Sequence, residues 1–428
     1  MTWRLAPFAL ALLQLECGTS FTSIQPSLYP ISSSSTFVKM STSSAYTMED
    51  AVNAAWRQLF AEHDNDAMNV LFCPAANEAP DPIPLLGLGA KNPLPVDLPP
   101  GVLLRNGPNP QPGHECSSFL DGDGMVHAIT LPPQNSDVGE KVDGNKQHFV
   151  PSYSRTWIRS AGFAKEEAAG GQQLFRGTLV APRGYPMLAH LVSNAFKTRG
   201  QVQKDTVNTA LSNHAGRVLA LMEQSRPSEL RVSQDGRVRT IAADSSLDGA
   251  ITPVPVLGGA LSAHSRIDPS NGDLVTVSYS TATAPYLRLD VFGGVDGSLK
   301  ISRGIDTPAP IMVHDCAITQ SHAILLDLPM TVRLERTLMD RFPVEYEPSA
   351  GARIGITDRL FSGKAHSRLS PEVQWAAVKP CVVLHTANAF EEHVGPPSSS
   401  RLRVTLTALR SQPQSPQSYI CSCEFFHN

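Results

Sequence analysis

The sequence predicts an all-β fold, and three observations support this prediction. The 428 residues contain 35 prolines and 30 glycines, spread along the chain as frequent turn signals. From about residue 101, short apolar runs of strand type alternate with these turns. Two Asp-Gly pairs, at 235–236 and 296–297, lie between such runs and predict tight hairpins. Many short strands at this density favour a barrel, a sandwich or a propeller.

The individual elements follow from the local pattern. Strands are predicted over 101–105, 217–222, 230–232, 238–241, 274–279, 287–292, 299–301, 323–327, 353–356, 381–384 and 402–406. Residues 186–196 carry apolar side chains at helical spacing and predict a helix that interrupts the strands. A second helix is predicted over 48–70, and the Pro-rich segment from 74 to 99 is predicted to be an extended lead-in to the domain.

The first 47 residues have the composition of a targeting sequence. Residues 1–20 combine one early positive charge with a short apolar run, as in a signal peptide, and residues 21–47 are Ser-rich and lack acidic residues, as in a transit peptide. This arrangement resembles the two-part plastid presequence of algae with complex plastids. The alternative is a secretory signal followed by a Ser-rich linker. No later apolar run reaches the length of a membrane span, so no transmembrane helix is expected.

Composition and motifs exclude several classes of function. A net charge of −4 without a basic run gives no electrostatic basis for nucleic-acid binding. Seven cysteines without regular spacing do not form a disulfide framework, and Cys421 and Cys423 are too close for a typical metal clip. The chain has no nucleophile elbow, no phosphate-binding loop, no dinucleotide fingerprint and no His-Glu-x-x-His motif.

Three of the 13 histidines are candidates for a metal site, because each lies beside a predicted strand. They are His264, His314 and His385, and they can meet only if separate strands direct them at one axis. Imidazole suits Fe, Zn or Cu. The alternative is that they are ordinary surface or core histidines. Glu223 ends a predicted strand, where its carboxylate would either orient a metal-bound imidazole or lie solvated in a turn.

Seven motifs, taken in order, resemble the carotenoid cleavage oxygenase family, nearest to its plant and algal branch. The resemblance covers about residues 90 to 410. The motifs are Gly101-Val-Leu-Leu-Arg-Asn-Gly-Pro-Asn-Pro110, Phe119-Leu-Asp-Gly-Asp-Gly-Met-Val-His127, Asn208-Thr-Ala-Leu211 with Arg217-Val-Leu-Ala-Leu-Met-Glu223, Ala263-His-Ser-Arg-Ile-Asp-Pro-Ser-Asn-Gly-Asp273, Met312-Val-His-Asp-Cys-Ala-Ile-Thr319, Arg353-Ile-Gly-Ile-Thr-Asp-Arg-Leu360 and His385-Thr-Ala-Asn-Ala-Phe-Glu-Glu392.

The resemblance implies a seven-bladed β-propeller with a helical roof on one face. It also implies Fe(II) held by four histidines on the propeller axis, with outer glutamates orienting some of the imidazoles. Carried over to this chain, His264, His314 and His385 would be the first three iron ligands and Glu223 an outer orienting group. The implied activity is O₂-dependent cleavage of a carotenoid or apocarotenoid double bond to two carbonyl products. The helix over 186–196 corresponds to part of the family's membrane-contacting patch, or is an ordinary amphipathic roof helix.

The sequence departs from the family pattern after about residue 410. The fourth family histidine lies near the end of a longer chain, whereas residues 411–428 are expected to be a polar, Pro-rich tail without a strand. The propeller domain over 100–410 is therefore expected to lack its last blade or two. His427 and His393 are weak substitutes for the fourth ligand. Besides the oxygenase, three functions remain open: a non-catalytic polyene-binding or partner-binding remnant, cleavage of a stilbene-like phenylpropanoid, and retinoid isomerisation.

Overall fold

The computed structural model describes residues 75–85, 99–115, 121–131, 139–142, 146–178, 183–251, 258–359, 373–395, 401–412 and 415–427. The predicted presequence and the predicted helix over 48–70 lie outside these residues. The described part of the lead-in is extended as predicted, since its strand β1 (Ala79–Pro84) pairs with the edge of a sheet. Its prolines suit an edge strand, where a missing backbone donor is tolerated.

Strands dominate the described part of the chain. After β1 they are β2 (Gly101–Asn109), β3 (Asp123–Leu131), β4 (Gly139–Val142), β5 (Lys146–Phe149), β6 (Ser152–Trp157), β7 (Ala210–His214), β8 (Arg217–Leu221), β9 (Ser228–Val232), β10 (Val238–Ala242), β11 (Arg266–Ile267), β12 (Leu274–Tyr279), β13 (Leu287–Phe292), β14 (Leu299–Ile305), β15 (Ala317–Ile318), β16 (His322–Asp327), β17 (Met330–Val332), β18 (Val344–Tyr346), β19 (Arg353–Asp358), β20 (Gln374–Ala377), β21 (Val382–Val394), β22 (Arg401–Gln412) and β23 (Ser415–His427).

These strands form five larger antiparallel sheets, numbered I to V in chain order. Their strand orders are β1-β6-β3-β2, β10-β9-β8-β7, β11-β12-β13-β14, β15-β16-β19-β20 and β21-β22-β23, and two small ribbons, β4-β5 and β17-β18, accompany them. Sheets II and III follow the chain as simple meanders, because short connections link strands that are consecutive in the sequence. The two predicted Asp-Gly turns connect β9 to β10 and β13 to β14, as expected.

Each sheet packs face to face against the next one. Separate apolar clusters join sheet I to II, II to III, III to IV and IV to V. Strand β16 shows how one strand serves two such clusters. Ala323 and Leu325 face sheet III, whereas Ile324 and Leu326 face sheet V. Successive side chains of a strand point to opposite faces, so a sheet with two packed faces requires an uninterrupted apolar run such as residues 323–326.

The described part of the chain contains two α-helices, α1 (Ala161–Ala168) and α2 (Gly184–Thr198). The Ser160 hydroxyl caps α1 by accepting a hydrogen bond from the Phe163 amide. Helix α2 confirms the predicted helix over 186–196, and it packs beside a 3₁₀ helix, Leu334–Met339. Within the described ranges, no helix has the length and apolar character needed to cross a bilayer.

The structure confirms every predicted strand, often with longer bounds, but the prediction of a strandless tail after residue 410 is wrong. Strand β22 continues to Gln412, and β23 pairs antiparallel with it from Ser415 to His427. The Ser and Gln residues made this segment look like a polar tail. Between 419 and 426, however, the chain is rich in aromatic, Ile and Cys residues that favour a strand.

Candidate metal centre

The three candidate histidines lie on three consecutive sheets. His264 comes two residues before β11, His314 comes three residues before β15, and His385 lies within β21. Each of these strands is an edge strand of its sheet, and β15 also contacts β21. A one-residue parallel bridge joins His264 to Asp315. The same edge of sheets III, IV and V therefore faces one common point.

At that point the three imidazoles form a compact cluster. Ring centroids are 4.5 Å apart for His264 and His314, 4.4 Å for His264 and His385, and 5.0 Å for His314 and His385. The rings are steeply inclined to one another, at 57° to 85°, so they present edges and not stacked faces. One nitrogen from each ring lies within 4.8 Å of the others.

The surroundings of the cluster favour neutral imidazoles. Burial strongly lowers the pKa of His264, and the neighbouring His314 and His385 lower it further. Burial, with the nearby His314 and Arg266, lowers the pKa of His385 to about 3. A neutral imidazole keeps a lone pair for a metal, so burial prepares these side chains to act as ligands at physiological pH.

Glu223 reaches His314 from the end of sheet II. Its carboxylate contacts Nδ1 of His314, and both side chains are about nine-tenths buried. Glu223 lies two residues beyond β8, and its backbone carbonyl accepts a hydrogen bond of 2.6 Å from the Ala260 amide. An Nδ1–H donated to this carboxylate fixes the tautomer of His314 and directs Nε2 as the ligand atom. The predicted pairing of Glu223 with one of the histidines is therefore present.

The donor set fits a borderline transition metal. Metal–nitrogen bonds of about 2.1 Å hold neighbouring ligand nitrogens roughly 3–4 Å apart, so a small side-chain movement closes these imidazoles around one ion. Imidazole ligands suit Fe, Zn, Cu and Ni, whereas Mg and Ca prefer oxygen. A small pocket lies against His314, and Met312, Leu328, Met330 and Val382 line its wall. The candidate centre thus combines nitrogen donors with an apolar neighbourhood.

The two substitute ligands considered for the centre lie away from it. His393 is exposed, eight residues beyond His385 on β21, and it pairs with Leu402. His427 lies opposite the same Leu402 on β23. Since a strand advances about 3.3 Å per residue, this end of sheet V is roughly 25 Å from the cluster. In the part of the chain that is described, the histidine cluster contains only His264, His314 and His385.

A second group of potential ligands has a different role. His114, Asp123 and Glu166 also come together, but Lys204 lies between the two carboxylates. Its Nζ is 2.7 Å from Asp123 and 2.5 Å from Glu166. Burial opposes the charged form of Lys204, but the two carboxylates outweigh it and raise the pKa of the ammonium. The lysine therefore already supplies the cation that these acids need, and the group fastens α1 to sheet I.

The stacked sheets and the shared histidine edge define a class of protein: a β-propeller with an all-histidine candidate metal centre. The family model described as "Retinal pigment epithelial membrane protein", RPE65, matches residues 72–420. The chain belongs to this family, which confirms the resemblance found in the seven motifs.

Curated relatives carry dioxygenase names. Carotenoid 9,10(9',10')-cleavage dioxygenase 1 of Arabidopsis thaliana is 29% identical over 329 residues, which are 75% of this chain and 54% of the relative. The chloroplastic 9-cis-epoxycarotenoid dioxygenase NCED6 of the same plant is 27% identical over 68% of this chain and 47% of the relative. The chain thus spans about half the length of the curated relatives it matches.

Solved structures confirm the fold. The lignostilbene dioxygenase of Pseudomonas brassicacearum matches with a TM-score of 0.57 and 18% identity, over 83% of this chain and 66% of that protein. Cobalt-substituted apocarotenoid oxygenase of Synechocystis matches with a TM-score of 0.53 and 26% identity, over 74% of this chain and 59% of that protein. Both are β-propellers, as predicted for this chain.

Proposed function

We propose that this chain carries the iron site of a dioxygenase that cleaves one C=C bond of a carotenoid or apocarotenoid. The observation that carries the proposal is the meeting of His264, His314 and His385 at the edges of three sheets. In the proposed reaction, one double bond and one O₂ molecule give two carbonyl products, and each product keeps one oxygen atom. Family membership and the dioxygenase names of the relatives support this assignment.

In this proposal the three imidazoles hold Fe(II), and Glu223 holds the proton on Nδ1 of His314. When bound, ferrous iron supplies the activation of O₂. The protein contributes position more than acid–base chemistry, because no proton has to move for the polyene to react. The apolar side chains of Met312, Met330 and Val382 beside His314 limit its contact with water. The names of the relatives specify carotenoids, and we extend that substrate class to this chain.

The test is turnover by the purified full-length chain loaded with Fe(II). With an apocarotenoid and isotopically labelled O₂, we expect two aldehyde or ketone products, each carrying one labelled oxygen atom by mass spectrometry. Polyene binding without iron and without products would favour the non-catalytic alternative instead. Cleavage confined to a stilbene-like phenylpropanoid, or isomerisation of a retinoid without cleavage, would replace the carotenoid assignment with one of the other two reactions.

We also propose that α2 and its neighbouring 3₁₀ helix contact a membrane surface. Exposed apolar side chains cluster on both elements: Tyr185, Val192 and Phe196 on α2, and Leu338 and Met339 on the 3₁₀ helix. Phe196 is 88% exposed and Val192 is 69% exposed. A water-insoluble polyene is delivered most directly from a lipid phase, and an amphipathic helix can lie in the membrane interface without crossing it.

Replacing Val192 and Phe196 together with aspartate should reduce binding to lipid vesicles. Burying an apolar side chain of this kind contributes about 1.5–3 kcal/mol, so we expect vesicle partitioning to fall at least roughly tenfold. Flotation with neutral phospholipid vesicles measures the effect. Val295→Asp is the matched control, since Val295 is 93% exposed but lies in the β13–β14 turn. Equal losses from the control and the double variant would refute the assignment of this patch.

For the remainder of the chain we propose the following organisation: residues 1–20 as signal peptide, 21–47 as transit peptide, 48–99 as lead-in, and a propeller domain that begins near residue 100 and includes the β22-β23 hairpin, since β23 extends sheet V. Plastid targeting is supported by composition and by the chloroplastic names of some relatives. A fluorescent protein fused after residue 47 should enter the plastid of an alga with complex plastids. Secretion of that fusion would favour the alternative secretory route.

A further inference from the structure

A buried polar network connects the three segments that carry the candidate ligands. Its centre is Asp315, which directly follows His314 and has no exposed surface. Its partners are Arg266, two residues after His264, and Thr386, which directly follows His385. Each of the three sheets with a candidate ligand therefore contributes one member to the network.

The hydrogen bonds are short and converge on one oxygen. Oδ2 of Asp315 accepts from Arg266 Nη2 at 2.6 Å, from the Thr386 amide at 2.8 Å and from Thr386 Oγ1 at 3.0 Å. Arg266 Nη2 lies 2.7 Å from Thr386 Oγ1 and donates to the Thr386 carbonyl at 3.0 Å. Oδ1 of Asp315 accepts from the Cys316 amide at 2.7 Å.

The same segments are also connected through their backbones. Arg266 Nε donates to the Cys316 carbonyl at 3.0 Å, and Ser262 Oγ donates to the His314 carbonyl at 2.6 Å. The carboxylate of the Arg266–Asp315 pair is fully buried, and its hydrogen bonds fix its geometry, because removing a partner leaves a buried, uncompensated charge. Since each member lies one or two residues from a histidine, a shift in the network moves the backbone that carries an imidazole.

We propose that Asp315, Arg266 and Thr386 form a clamp that sets the relative positions of the three imidazoles. They are positioning residues, because none of them contributes a ligand atom to the histidine cluster. The inference rests on the proposed metal-binding role of His264, His314 and His385. Glu223 orients the ring of His314, and the clamp in addition holds the backbone beside all three histidines. A metal site needs such support to keep its geometry.

The test compares conservative substitutions in the purified full-length chain. Thr386→Val keeps the branched shape but removes the hydroxyl, whereas Thr386→Ser keeps the hydroxyl. Asp315→Asn keeps the size but removes the charge that faces Arg266. Asp268→Asn is the control: the Asp268–Arg359 pair has the same contact distance of 2.6 Å and is more deeply buried, but neither residue is next to a candidate ligand.

The measurements are the dissociation constant for Co(II), its visible absorption spectrum in the site, and the thermal unfolding of the metal-free protein. We expect Asp315→Asn and Thr386→Val to weaken Co(II) binding about 10- to 100-fold and to change the spectrum. Thr386→Ser should keep the Co(II) affinity and the absorption spectrum of the unsubstituted chain. Asp268→Asn should lower the unfolding temperature without changing the spectrum.

Unchanged Co(II) affinity and spectrum in Thr386→Val would overturn the clamp, and so would an equal change in Asp268→Asn. If Asp315→Asn does not fold, the two Thr386 variants still decide the question. Metal binding without polyene cleavage by the unsubstituted chain would reject only the proposed reaction. A failure of the unsubstituted chain to bind Co(II) would overturn the clamp together with the ligand assignment.

Discussion

Replacing His314 with alanine is expected to abolish metal retention. His314 lies within 5.0 Å, between ring centroids, of both other histidines, and it is the one that Glu223 contacts. The substitution removes a ligand and also leaves the buried carboxylate of Glu223 without its imidazole partner. Loss of an outer group costs about 10- to 100-fold in metal affinity, so loss of a direct ligand should exceed 100-fold. Iron content after gel filtration, measured by mass spectrometry, gives the result.

His393→Ala is the control for this experiment. His393 lies on the same strand as His385, but it is exposed and far from the cluster. It should keep the iron content of the unsubstituted chain. Full iron occupancy in His314→Ala would show that His314 is not a ligand, whatever the behaviour of the control.

The second large effect is expected for Glu223→Gln. The amide can still accept a hydrogen bond from Nδ1 of His314, but it lacks the negative charge that makes the imidazole a stronger donor to a metal. We expect the dissociation constant for Fe(II) to rise about 10- to 100-fold, while the fold is retained. Competition with a chelator under anaerobic conditions measures this change.

Glu229→Gln provides a matched comparison within the same sheet. Glu229 is a partly buried carboxylate on β9 that contacts Arg217 and Ser245 but none of the three histidines. Its substitution should leave Fe(II) affinity unchanged. Similar Fe(II) affinities for the Glu223→Gln and unsubstituted chains would mean that the contact between Glu223 and His314 does not strengthen metal binding.

Most of the fold could be predicted from the sequence because the strands are short, apolar and separated by turn residues. The hairpin around Asp235 and Gly236 and the β-branched, fully buried strand β12 can be predicted from their local sequence patterns. Helix α1 was not predicted. Its eight residues form a weak amphipathic pattern. Its start is defined by the Ser160 cap and by the Asp205 carboxylate, which accepts hydrogen bonds from the first helical amides.

The candidate centre could be predicted only in part. Spacing alone cannot select His264, His314 and His385 from 13 histidines, since 50 and 71 residues separate them. The family motifs identified the three, and the structure brings them together; their role as iron ligands stays a prediction. The Asp315 network was missed although its members stand beside the histidines. Arg266 and Thr386 are 120 residues apart, and no periodic pattern reveals a contact at that distance.

The distribution of the histidines over sheets III, IV and V sets the order of events during biosynthesis. The ribosome completes sheets I and II and the first two candidate ligands long before it reaches β21. Domain segments begin to fold as they emerge, so the early sheets must hold together through their apolar faces without help from a metal. His385 emerges last of the three. Under the proposed ligand assignment, the complete three-histidine site can therefore form only after the ribosome has synthesised β21.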